Sequence, residues 1–209
     1  MDTKRLIRLS ALTGLVGALI LGSSFAINPG PPQGITTAQV MVWGQHNVTG
    51  ILLGTWTQAT GTLLIVLFFL GLVWLSQGLS RITGWLTLLA SGCVLLISLV
   101  ECSGYLAAVY SGQSHDLASL ATSLIIIKAD QHLYFLSLPV FLPLSLLLWN
   151  SSLLPRLFCY LALVLGVAFI LWGFAGLFLD WLIMVAILPG LMAAWVVAAT
   201  LTLLIRHRR

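Results

Sequence analysis

The sequence predicts an all-α fold: a polytopic transmembrane helix bundle with six spans and both termini in the cytoplasm. Three observations predict it. Of 209 residues, 60% are hydrophobic and only 7% charged, whereas a soluble domain carries roughly a quarter charged residues. Mean hydropathy is +1.10. Apolar runs long enough to cross a bilayer, about 20 residues each, recur along the chain between short polar or basic turns. A chain so poor in charge cannot cover a water-facing surface, which excludes an ordinary soluble domain.

The first run, 6–27, follows the basic start Lys4, Arg5, Arg8. Ser24-Phe25-Ala26 offers small residues of the kind a signal peptidase cuts, but the run is longer than a usual signal core, and an uncleaved anchor is expected. Pro29, Pro31 and Pro32 then enforce a loop. Residues 35–45 suit a short interfacial helix with Val40, Met41 and Trp43 available to lipid. The second span, 48–75, has a Thr-, Gly- and Gln-rich first half and an almost purely aliphatic and aromatic second half. A turn containing Arg81 leads to the third span, 82–109.

Leu117 to Ile127 is apolar enough for a helix, either as an outer cap or as an extension of the fourth span, 131–149. Pro139 and Pro143 interrupt that span and should kink it. The fifth and sixth spans, 157–178 and 181–205, are joined tightly at Asp180, whose carboxylate is placed to cap the last helix. The whole chain forms one membrane domain.

Orientation follows from the basic residues. With the N-terminus inside, eight of the nine Lys and Arg are cytoplasmic and only Lys128 lies opposite, as the positive-inside rule expects. The expected location is a bacterial plasma membrane. Because these residues mark helix ends rather than one patch, a net charge of +4 points to headgroups, not nucleic acid. Cys93, Cys102 and Cys159 lie inside apolar runs and read as small buried hydrophobes.

The candidate site is an outward-facing polar pocket. Glu101 sits within an apolar helix, where an ionisable group costs several kcal/mol unless paired or hydrated. Steps of three or four place Gly84, Thr87, Ser91, Ser98, Glu101 and Tyr105 on one helical face. The second span offers His46, Gly50, Thr57 and Gly61 near one face with Gln58 beside it. The fourth supplies Lys128, Asp130 and His132 at its outer end, Lys128 being a charge partner for Glu101 or Asp130. The pocket is therefore drawn from Glu101, Gln58, His46, His132, Tyr105, Lys128 and Asp130.

Three function classes remain: a module binding or transporting a small molecule or ion, a membrane enzyme or haem protein, and a structural subunit of a membrane complex. Haem would need His46 and His132 as axial ligands; no catalytic motif supports a hydrolase, and no metal-ligand spacing stands out. The bilayer is the expected partner, with a second copy or a larger membrane complex as further candidates.

Overall fold

The computed structural model describes residues 2–28, 30, 36–137, 140–176 and 183–207; the side chains at 37, 128, 131–137, 176 and 183–186 lie outside that description. Among the described residues there is no strand. The elements are α1 (Thr3–Ile27), α2 (Thr37–His46), α3 (Val48–Leu75), α4 (Ile82–Gln113), α5 (Leu117–Ser137), α6 (Phe141–Trp149), α7 (Arg156–Gly176) and α8 (Ile183–Arg206), with a short 3₁₀ turn at Gly78–Ser80 between α3 and α4.

Five described helices are long and apolar enough to cross a membrane: Thr3–Ile27, Val48–Leu75, Ile82–Gln113, Arg156–Ala175 and Ile187–Arg206. They match five of the six expected runs. The fourth expected span differs. Helix α5 begins at Leu117 and runs straight through 131, and α6 is a separate described helix. Nothing in Ile127-Lys128-Ala129-Asp130 breaks a helix, so Leu117–Ile127 extends the following segment instead of forming a separate cap. Pro139, Asp180 and Trp181 lie outside the described residues, and with them the expected kink at Pro139 and the cap at Asp180.

The core explains why so greasy a chain has one packing. Phe69, Phe141, Phe169 and Trp195, drawn from α3, α6, α7 and α8, are buried together. Phe141 lies at their centre, edge-on to Phe69 with ring centroids at 5.8 Å and to Trp195 at 5.2 Å, and stacked on Phe169 at 6.3 Å. Such edge-on and offset pairs suit the ring quadrupole. The indole N–H of Trp195 donates to the Phe158 carbonyl at 3.1 Å, which satisfies its one polar group away from water.

Between α1 and α3 the fit is at backbone level. A Cβ added at Gly61 would stand 2.5 Å from the Leu21 nitrogen, so only glycine allows this approach. Small residues at helix contacts do in membranes what apolar burial does in water, because lipid is as apolar as the helices. The outer surface is correspondingly greasy: Trp56, Trp74, Trp85, Ile82, Leu89 and Leu171 are all exposed, a belt that would be untenable in water.

Helix α2 corrects an expectation. Thr36 caps it in a capping box with Gln39. Val40 is buried against Ala108 and Leu120 rather than facing lipid. The Gln45 side-chain amide donates to the Gly112 carbonyl at 3.0 Å, which fixes α2 across the ends of α4 and α5.

Candidate functional site

The polar face expected on α4 is buried. Thr87, Ser91 and Ser98 are at most 1% exposed, and Tyr105 is buried too, while Glu101 remains half-buried. Its first rungs are local: the Thr87 and Ser91 hydroxyls donate to the carbonyls one turn back, Thr83 and Thr87, each at 2.7 Å. Higher up, the face turns to α3. Thr62 and Ser98 pair through their hydroxyls at 3.1 Å, and the Gln58 amide donates to a Glu101 carboxylate oxygen at 2.5 Å. One residue further on, the Cys102 thiol donates to the Thr55 carbonyl at 3.4 Å. These rungs agree in depth: Glu101 is about 28 Å along α4 from Ile82, and Gln58 about 25 Å along α3 from Leu75.

Helix α5 brings the third component. Gly104 receives Ile127, and one turn along this antiparallel pair Glu101 comes opposite Asp130. Asp130 is 3% exposed, and its Oδ2 has no hydrogen-bond partner. The Thr55 hydroxyl, on the α3 face that meets α4, is likewise buried without a partner. Two carboxylates and one amide thus come to one depth inside an apolar bundle, with a free hydroxyl one turn away on α3.

Of the residues singled out in the sequence, Gln58, Glu101 and Asp130 come to one depth, with Tyr105 one turn toward α2. His46 is not. It is exposed at the end of α2, its ring Nδ1 2.9 Å from the Val42 carbonyl. The periodicity that joined His46 to Gly50 and Thr57 crosses a helix boundary at Asn47 (φ −111°, ψ 16°), where stepping by turns loses its meaning. Thr57 is half-buried and turns its hydroxyl back to the Leu53 and Gly54 carbonyls at 3.0 and 2.9 Å. The side chains of Lys128 and His132 lie outside the described residues, and with them the expected charge partner and the His46–His132 haem pair.

Immediately beyond Glu101 toward α2, Tyr105, Val109, Ile51 and Ile127 form a buried apolar cluster, with Trp43, Val48 and Leu52 packed on it. An apolar layer therefore separates the carboxylates from the α2 end of the bundle. Among the described residues no group of three or more His, Cys, Asp or Glu gathers as a metal site. At the opposite end of the bundle, a cavity of about 310 Å³ is lined by Ile7, Arg8, Leu204 and His207.

Sequence reasoning missed Thr55, Thr62 and the Ser98 pairing. The spacing 55, 58, 62 is itself a helical stripe, and reading α3 alone without His46 would have found it. The fold, with its exposed apolar belt and five spanning-length helices, is that of a multi-pass membrane protein. No protein-family model, no curated protein and no solved structure matches the chain.

Proposed function

We propose that this protein crosses a bacterial plasma membrane six times, α5 and α6 together supplying the sixth crossing, with both termini cytoplasmic. In that setting it binds or passes a small ion or cationic solute at the junction of α3, α4 and α5. The bilayer covers its apolar belt. The observation that carries the reading is the 2.5 Å bond from Gln58 to Glu101 at the depth of Asp130. Carboxylates at membrane depth are costly and are functional by default, and Glu101 keeps part of its surface accessible.

The test uses the full-length chain in proteoliposomes containing a trapped pH-sensitive dye. Sodium, potassium and choline chloride gradients are applied in turn. Wild type should give a cation-dependent pH change that Glu101→Gln abolishes. Equal traces from Glu101→Gln and wild type, or no cation-dependent signal from wild type, would sink the reading.

A second reading has its own support. The Thr62–Ser98 and Cys102–Thr55 bonds flank Gln58–Glu101, as rungs of a structural clasp would. A clasp predicts that Glu101→Gln changes the melting temperature and no flux.

A further inference from the structure

Resting on the ion-binding reading, we infer that the α3–α4–α5 junction is a site for one dehydrated monovalent cation of the sodium class, held between the Glu101 and Asp130 carboxylates. Unused bonding capacity marks this junction. Asp130 is 3% exposed and its Oδ2 accepts no hydrogen bond, and the Thr55 hydroxyl, one turn from Gln58 on the α3 face, is 4% exposed and equally unpartnered. A buried polar atom without a partner costs roughly 1–3 kcal/mol, and more if charged. Native structures seldom leave such an atom unfilled except where a water or ion belongs.

One turn along α5 from Ile127, the Asp130 carboxylate comes to the depth of an already occupied Glu101. The Gln58 amide N–H satisfies one Glu101 oxygen but contributes no charge to balance two carboxylates. It does leave the Gln58 side-chain carbonyl oxygen for a ligand. The available atoms are all oxygens, the set that hard cations prefer. Their number selects among hard cations. Calcium takes six to eight oxygens, several of them carboxylate, and no third acidic group joins these two among the described residues. A monovalent cation, with one proton retained on the carboxylate pair, leaves the junction neutral and uses two carboxylates, one amide oxygen and one hydroxyl. The apolar layer of Tyr105, Val109, Ile51 and Ile127 on the α2 side would keep water from competing for the ion.

The experiment is thermal unfolding of the purified full-length protein in detergent, at fixed pH and ionic strength, with sodium chloride replaced stepwise by choline chloride. Wild type should show a melting temperature that rises and saturates with sodium. Asp130→Asn should weaken the apparent sodium affinity at least the roughly tenfold that losing even an outer-shell partner costs. Ser98→Ala, which removes a rung of the ladder and no proposed ligand, should keep the sodium response. An equal rise in choline, or an unchanged sodium response in Asp130→Asn, overturns the site. Should Asp130→Asn not fold, radioactive sodium binding to wild type by scintillation proximity decides. Saturable binding competed by unlabelled sodium supports the site, and its absence overturns it. A cation-dependent pH change in proteoliposomes without sodium binding would leave the proposed function standing and remove this site alone.

Discussion

Ile127 occupies the place a side chain at Gly104 would need: its Cγ1 lies 2.7 Å from where a Cβ would stand. That contact sets the spacing of α4 and α5, and so the meeting of Glu101 with Asp130 one turn away. Gly104→Ala should push the helices apart and destabilise the protein by about 1–3 kcal/mol, the usual cost of overpacking. Ile127→Ala opens a void of its own, so the double variant should be more stable than the two single losses predict. Unfolding of all three variants in detergent checks this; strict additivity would show that the contact does not set the spacing.

The rungs between α3 and α4 should differ in weight. Interhelical hydrogen bonds in membranes average about 0.6 kcal/mol, so Thr62→Ala should cost near that. Gln58→Ala strands a carboxylate and should cost more, about 1–3 kcal/mol. Side-by-side melting curves test the order, and a larger loss for Thr62→Ala would contradict it.

Gly61 and Gly92 make a matched pair. Alanine at Gly61 meets the α1 backbone at Leu21, which cannot step aside, whereas at Gly92 a Cβ meets nothing within 4 Å. Gly92→Ala should therefore stabilise by up to about 1 kcal/mol through helix propensity. Gly61→Ala should destabilise despite the same gain. Equal effects at the two sites would mean that α1 and α3 are not in backbone contact.

Acid should loosen the start of α5. The Asp116 carboxylate accepts from the Ala118 and Ser119 amides, each at 3.1 Å, and from the Ser119 hydroxyl at 2.6 Å. These bonds favour its charged form, those from Ser119 most, and hold its pKa below the usual carboxylate range. With a folded pKa below the unfolded one, the contribution is fully present above the unfolded value and is lost as pH falls through the folded value. Protection of the Ala118 and Ser119 amides from hydrogen exchange, corrected for intrinsic rates, should hold at neutral pH and fall only in strong acid. Asp116→Asn should show no such acid step.

What the sequence made legible was whatever a single helix determines. The face of α4 from Gly84 to Tyr105 needs only a period of 3.6, and it is buried as that period requires. Glu101 stood out because one carboxylate in an apolar helix is expensive wherever its partners lie. Less legible were features that depend on a second helix. Val40 reads as lipid-facing until Ala108 and Leu120 cover it. His46 reads as a neighbour of Thr57 until Asn47 ends its helix. The apolar layer over the carboxylates draws on α2, α3, α4 and α5 together, and no one-dimensional pattern encodes it.

The packing of α1 bears on how the bundle is made. Its Gly61 contact is with α3, the next long helix to leave the ribosome, so those two can join while most of the chain is still unsynthesised. At Gly14 the same helix also meets Thr200, far along α8, next to Phe68. That side must wait for the last helix. During synthesis α1 is thus held by α3 alone, with Phe68 already against Gly14, and α8 completes the assembly by closing the remaining Thr200 side. A nascent chain halted before α8 should hold the α1–α3 pair while leaving the Thr200 side of Gly14 open to whatever insertion factor or lipid is nearest.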